Sequence, residues 1–229
     1  MMMKPWNQTE PFVHLTDSQL KELNQSAQLC RYPKGAVLFR EGEPADSLWV
    51  LQQGWVRLVK RTADGKFLTL DLVTPKDGVC GLSAFSDHNR YVATAVAAPP
   101  VEAVRLPALA LRELLKSHPQ FAACVTGILN QRFRHIAAAY ADAYAPVEQR
   151  IASVLLRLTD DFGAHLPITR RELAELTGTT VETAIRITRR LQKKGTLRIS
   201  RGRVTVLHPR SLSGKINRII ASEKGGNSQ

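Results

Sequence analysis

Glu182, Arg186, Arg189 and Lys193 recur at spacings of four, three and four residues in the stretch VETAIRITRRLQKK. At about 100° per residue, a helix brings the last three to within roughly 40° of Glu182. One carboxylate acceptor and three cationic donors on a single face suit the base edges of a B-DNA major groove. Arg186 can take a guanine O6/N7 edge, Glu182 can accept from a cytosine N4, and the neighbouring Ile185 can meet a thymine methyl. Ala184, Ile187 and Leu191 lie roughly 140° to 200° from Glu182, so the opposite side of the same helix is apolar and can pack on Leu173 and Leu176. The alternative is a helix cap and an exposed Glu182–Arg186 pair among solvated cations.

The elements needed to hold such a face are legible around it. Thr169-Arg-Arg-Glu172 and Thr179-Thr-Val-Glu182 both match the capping box, in which a threonine and a glutamate three residues on satisfy the free amides of a helix start. A short helix over 170–177, a turn at Gly178 and a second helix make a helix-turn-helix. The next segment, GTLRISRGRVTVL, reads as a hairpin, or wing, that offers Arg198, Arg201 and Arg203 to phosphates. The expected DNA-facing set is therefore Arg170, Arg171, Thr179, Thr180, Val181, Glu182, Ile185, Arg186, Arg189, Arg190, Arg198, Arg201 and Arg203.

Charge supports a polyanionic partner. Residues 1–145 carry 16 Lys/Arg against 13 Asp/Glu, whereas residues 146–229 carry 16 against 7. From 183 to 222 there are eleven Lys/Arg and no acid, a density that draws in nucleic acid by releasing its counterions. The 229 residues allow two modest domains. No run reaches the roughly 18 to 20 apolar residues of a membrane span, and MMMKPWNQTEPF lacks the apolar core of a signal peptide, so a cytoplasmic protein is expected. Cys30, Cys80 and Cys124 share no metal-ligand spacing and read as reduced thiols, or simply as three small buried hydrophobes.

Residues 35–107 are short β-type runs broken by turn chemistry, which implies a small barrel or sandwich-like roll. Hairpins are expected at Gln53-Gly54 and Asp64-Gly65, and a further strand pair over 91–96 and 102–106 around Pro99-Pro100. Residues 16–27 look helical, with Thr16 or Asp17 as cap. From Pro119 the period changes: Ala122, Thr126, Leu129, Phe133, Ile136, Tyr140 and Ala143 form one stripe of a long helix, and Phe121, Val125, Ile128, Arg132, His135 and Ala139 form an adjacent one. One stripe can cover the roll and the other a twin helix, which gives a homodimer; burial of both within one subunit is the alternative. Pro146 ends that helix and opens the next, over 147–161, so Tyr144-Ala145-Pro146 is a candidate hinge.

In this order of parts, and above all in LTGTTVETAIRITRRLQKKGTLRISRGRVTV, the chain resembles the cyclic-AMP receptor protein and fumarate-nitrate regulator (CRP/FNR) superfamily over about residues 12–215. The resemblance implies an α+β fold: a cyclic-nucleotide-binding-like β-roll (12–118), a dimerisation helix and hinge (119–145) and a winged helix-turn-helix (146–229). It also implies a homodimer on inverted-repeat double-stranded DNA, with Glu182 and Arg186 as base readers and RNA polymerase as a candidate partner. Ile185 stands where the fumarate-nitrate branch has serine.

The sensor half departs further from the cyclic-nucleotide members. Their glycine-glutamate and arginine-serine pairs, for ribose and cyclic phosphate, are here Gly81-Leu82-Ser83 and Tyr91-Val92-Ala93, with Arg90 nearby. The expected signal is therefore an effector, gas or redox change other than cyclic AMP. Clustered N-terminal cysteines for an iron-sulfur cluster are absent. Tyr91-Val-Ala-Thr-Ala95 resembles the nitrogen-oxide-responsive branch, some members of which sense through haem. Cys80 stands where a carbon-monoxide-sensing haem member has its ligand cysteine, while that member's histidine is Leu82 here. The candidate effector pocket is Cys80, Gly81, Leu82, Ser83, Arg90, Tyr91, Thr94 and His135, with His14 and His88 as further histidines. An enzyme with a regulatory roll is the rival class, but no phosphate loop, paired metal motif or nucleophile-base spacing supports it.

Overall fold

The computed structural model describes residues 6–61, 67–86, 89–142 and 144–213. The elements in chain order are α1 (Asp17–Ser26), β1 (Gln28–Tyr32), β2 (Val37–Phe39), β3 (Ser47–Gln53), β4 (Val56–Arg61), β5 (Phe67–Val73), β6 (Val79–Cys80), β7 (Thr94–Ala97), β8 (Val101–Pro107), α2 (Ala108–Ser117), α3 (Pro119–Asp142), α4 (Val147–Phe162), β9 (His165–Leu166), α5 (Arg170–Leu176), α6 (Val181–Lys193), β10 (Leu197–Ser200) and β11 (Arg203–Val206). They form two compact units, Met1–Ala137 and Ala138–Gln229. The division falls inside α3, upstream of the hinge expected at 144–146. No helix among the described residues is long and apolar enough to cross a membrane.

The first unit is a roll of two four-stranded antiparallel sheets, ordered β1-β8-β3-β6 and β2-β7-β4-β5. That topology corrects two sequence expectations. β3 and β4 are not a hairpin, because the chain at Gly54 crosses from one sheet to the other; likewise β7 and β8 lie in different sheets. The two crossings pack together: Gly54 has φ +78°, and a Cβ there would sit 2.3 Å from the Pro100 carbonyl oxygen, so glycine is the residue that fits. β4 and β5 do pair antiparallel, but the Asp64-Gly65 turn lies outside the described residues.

The alternation of β3 suggested a half-buried strand, yet Leu48 and Val50 enter one apolar cluster while Trp49 and Leu51 enter another. Both faces are covered because Phe12 and Leu15 of the N-terminal segment, Leu111 of α2 and Phe121 and Val125 of α3 pack over the outer face. The inner cluster fills the space between the sheets with Phe39, Trp49 and Tyr91, whose rings lie 4.0 Å (Phe39–Tyr91) and 5.0 Å (Phe39–Trp49) apart. α1 begins as expected, with Thr16 and Gln19 forming a reciprocal capping box. α2 was not anticipated.

The two stripes of α3 have different fates. Phe121, Val125 and Arg132 are buried against the roll. On the other stripe Leu129, Phe133, Ile136 and Tyr140 are 45, 71, 42 and 69% exposed. The side chain of Ala139 and the whole of Ala143 lie outside the described residues.

The second unit packs α4, α5 and α6 on a three-stranded sheet ordered β10-β11-β9. Its core holds Ile151, Leu155, Leu158, Leu166, Ile168, Leu173, Ala184, Ile187, Leu191, Leu197, Val204 and Val206. β9 is only two residues long, too short to leave a periodic signal in the sequence.

Candidate nucleic-acid interface

α5 starts on Thr169, whose side chain accepts from the Glu172 amide at 3.1 Å, while the Glu172 carboxylate accepts from the Thr169 amide at 2.7 Å. This capping box is the one expected. The helix ends at Thr177, after which Gly178 adopts φ +57° and the Thr179 amide reaches back to the Ala174 carbonyl at 3.0 Å. These are the left-handed residue and the six-to-one bond of a Schellman ending. Thr179 is spent on that ending, so it does not cap the next helix. Thr180 does, accepting from the Thr183 amide at 3.2 Å, and Glu182 is left free of a capping role with its side chain exposed. The expected second capping box therefore does not form, and a single threonine cap one residue later takes its place. Arg150 of α4 locks the turn, donating from Nε to the Thr177 carbonyl at 2.8 Å and from Nη2 to that of Gly178 at 3.4 Å. It lies too far back in the sequence for its role in the turn to be read from spacing.

α6 is sided as its periodicity demands. Ala184, Ile187, Thr188 and Leu191 are buried, and the Thr188 hydroxyl donates to the Ala184 carbonyl at 2.7 Å. Glu182, Arg186, Arg189 and Lys193 are exposed, and Val181 and Ile185 half-buried beside them. Arg190 departs from the expected set: it leaves the presented face and forms an ion pair with Glu148 of α4. That pair ties α6 to the body of the domain, which makes Arg190 a positioning residue.

The wing completes the surface. β10 and β11 pair from Leu197↔Val206 to Ser200↔Arg203, so the turn at Arg201-Gly202 is tight. Arg198, Arg201 and Arg203 are exposed. A groove of about 470 Å³ separates the wing from the helix-turn-helix, lined by Arg170, Gln192, Arg201 and Arg203 among others. Two of the three wing arginines expected to face phosphates, Arg201 and Arg203, therefore border one groove with Arg170. Arg171, at the start of α5, is exposed.

The eight residues expected to form an effector pocket divide among separate places in the roll. Cys80 and Tyr91 belong to the apolar filling between the sheets, 1% and 3% exposed. The Tyr91 hydroxyl donates to the Ser47 carbonyl at 2.7 Å and accepts from the Ser47 amide at 3.1 Å. Gly81 opens a short 3₁₀ turn over Leu82–Phe85, in which Leu82 packs on the outer apolar cluster and Ser83 is half-buried. Arg90 is on the surface, donating from Nη1 to the Gly42 carbonyl at 2.6 Å. Thr94 accepts from the Glu41 amide at 3.0 Å. His135 faces Asp77, Nδ1 to Oδ1 3.9 Å. Beside the apolar packing of Phe121 and Val125, the polar contacts between α3 and the roll are made by Arg132 and His135 with Asp71 and Asp77. His88 lies outside the described residues.

The haem reading fares poorly on the same geometry. Burial pushes the Cys80 thiol up to about 12, and its strand partner is the buried Trp49. A thiol so enclosed by core residues does not fit a haem ligand.

A double-sheet roll, a long helix leaving it and a winged helix-turn-helix with a basic face define a DNA-binding transcription regulator with a cyclic-nucleotide-binding type of sensor domain. The chain matches the family model of the cyclic nucleotide-binding domain over residues 29–118 and that of the Crp-like helix-turn-helix domain over residues 149–214. It is 30% identical over 182 residues to a cyclic AMP receptor protein of Thermus thermophilus, covering 76% of this chain and 82% of that protein. It is 28% identical over 197 residues to a CRP-like cAMP-activated global transcriptional regulator of Mycobacterium tuberculosis, covering 82% and 88%. Among solved structures the fold is shared with FixK2 from Bradyrhizobium japonicum, with a TM-score of 0.75 at 20% identity over 82% of this chain and 96% of that one. The chain belongs to the CRP/FNR family of transcription regulators.

Proposed function

We propose that the protein is a homodimer that reads an inverted repeat in double-stranded DNA through α6, and that its roll answers a signal other than cyclic AMP. The observation that carries the first part is the sidedness of α6: Glu182, Arg186, Arg189 and Lys193 stand exposed while Ala184, Ile187 and Leu191 are buried beneath them. A helix so anchored presents one acceptor and three donors without spending them on its own domain, and this is the arrangement base-edge recognition requires. The wing arginines and Arg170 border the adjacent groove and suit phosphates. For the dimer, support comes from the exposed stripe of α3, where two aromatic rings and two large aliphatic side chains face outward.

The reading of the signal rests on chemistry that the roll lacks. The curated relatives named above are described as cyclic-AMP proteins, but this chain offers Gly81-Leu82-Ser83 in place of a glycine-glutamate pair for ribose and Tyr91-Val92-Ala93 in place of an arginine-serine pair for phosphate. Arg90, the nearest cation in sequence, already donates to the Gly42 carbonyl at the surface, and the interior between the sheets is filled by Phe39, Trp49 and Tyr91.

Selection from a pool of random duplexes tests the DNA reading: an enriched inverted repeat with half-sites about one helical turn apart is expected. Enrichment of no motif, together with a steep loss of binding as salt rises, would instead mean a nonspecific polyanion binder. Calorimetric titration with cyclic AMP tests the sensor reading, for which no saturable heat is expected. Micromolar binding that also strengthens DNA binding would overturn it.

A further inference from the structure

Outside the DNA-reading surface and the roll interior, one cluster brings together three different metal-ligand types. Glu10 and His14 lie one turn apart in the N-terminal segment, with His14 Nε2 3.1 Å from Glu10 Oε2. Phe12, between them, is fully buried and packs on Phe121 of α3 with ring centroids 6.0 Å apart. That contact pins the segment to the first turns of α3 and sets Cys124 beside it, its Sγ donating to Glu10 Oε2 at 2.5 Å. One carboxylate oxygen, one imidazole nitrogen and one sulfur lie within 4.8 Å of one another.

We infer that Glu10, His14 and Cys124 bind one divalent transition-metal ion of the zinc type, fastening the N-terminal segment to the long helix. Mixed oxygen, nitrogen and thiolate donors select such an ion over magnesium or calcium, which prefer oxygen alone. With bonds of about 2.0 to 2.3 Å, tetrahedral ligand atoms stand roughly 3.3 to 3.7 Å apart. The Glu10 and His14 side chains are exposed, so a small spreading of the three groups opens room for the ion, and water takes the fourth position.

Charge favours the exchange as well. No lysine or arginine ion-pairs with Glu10 among the described residues. In the metal-free site the Cys124 thiol keeps its proton and donates it to Glu10 Oε2. Binding replaces that proton with the cation, releasing one H⁺ per ion as sulfur–metal, oxygen–metal and nitrogen–metal bonds form. The thiolate and carboxylate then balance the two positive charges, with His14 neutral. Cys30 and Cys80 lie on strands of the roll and take no part. The two halves of the site are 114 residues apart in sequence, which is why no ligand spacing announces it.

The test uses the full-length chain without a histidine tag, kept reduced and titrated with Co²⁺ and then Zn²⁺. One Co²⁺ per chain is expected, with a thiolate-to-cobalt band in the near ultraviolet, the visible bands of a tetrahedral ion, release of about one proton and displacement of both spectra by Zn²⁺. Cys124→Ser should abolish the thiolate band, and the exposed-site variant His14→Gln, whose fold is not at stake, should weaken binding severalfold. Cys30→Ser should change neither. Absence of saturable Co²⁺ and Zn²⁺ binding would overturn the inference, as would a band that survives Cys124→Ser or disappears in Cys30→Ser.

Discussion

The guanidinium of Arg132 on α3 lies 2.7 Å from the carboxylate of Asp71 on β5, with side chains only 10% and 1% exposed. The same guanidinium is 3.9 Å from Asp77. Burial opposes the Arg132 charge, but Asp71 and Asp77 outweigh it and hold its pKa above the ordinary arginine value. A buried ion pair adds little over an apolar pair of equal size, but removing one partner strands the other charge out of water. Asp71→Ala should therefore destabilise the roll by about 3 to 5 kcal/mol, read by urea unfolding. The double change Asp71→Ala with Arg132→Met should recover much of that loss, and equal effects of the single and double changes would contradict the pairing.

The boundary between α5 and α6 gives a sharper test of local structure. Because Thr180 caps α6 and the Thr179 backbone closes α5, Thr180→Ala should cost about 1 kcal/mol of stability in the second unit. Thr179→Ala should stay within roughly 0.5 kcal/mol, as for an ordinary surface change. Chemical denaturation of the two variants side by side distinguishes this register from the one suggested by the sequence motif, which reverses the order.

That one-residue shift marks where the sequence stops being legible. Only Thr179 has the glutamate three residues on that a capping box requires, but the chain reversal at Gly178 uses its amide and leaves the cap to Thr180. Apolar periodicity revealed α3, Pro146 marked the start of α4, capping motifs and Gly178 marked α5 and α6, and the charged and apolar faces of α6 followed from helical arithmetic. Within 35–107 the strands of the roll were legible as strands, yet apart from the β4–β5 pair their partners were not, and β1 was missed. Turn chemistry at Gly54 and at Pro99-Pro100 looks alike whether the chain folds back in its own sheet or crosses to the other one. Arg150, Arg190 and Arg132 took their roles from partners 27, 42 and 61 residues away, distances at which a sequence carries no spacing signal.

The outward stripe of α3 should be an interface. Phe133→Asp with Ile136→Asp places two charges where rings and aliphatic chains are 71% and 42% exposed in the single chain. Sedimentation should then report monomers that keep the circular dichroism of the folded protein, with DNA affinity falling as the second half-site contact is lost. Dimers of unchanged affinity would remove α3 from the interface.

Thiol chemistry should rank the cysteines by their surroundings. Cys80, 1% exposed and pushed up to about 12, should resist alkylation at pH 8 until the roll is unfolded, because the thiolate is the reacting form. Cys30 is half-buried and should react first. Addition of haem to the reduced protein should give no Soret band of a thiolate-ligated iron. Rapid labelling of Cys80 in the folded state, or such a band, would show that the space between the sheets opens.

The central claim, that α6 reads sequence, is tested most directly by measuring Arg186→Ala on the selected operator and on a random duplex of equal length at several salt concentrations. Loss of a bidentate guanine contact should weaken operator binding by about 1 to 3 kcal/mol and relax the choice at one symmetric G·C position, with random-duplex binding little changed. Arg201→Ala on the wing should instead weaken both duplexes alike and lower the salt slope by about one unit. An Arg186→Ala protein that loses affinity equally for operator and random DNA would contradict the account.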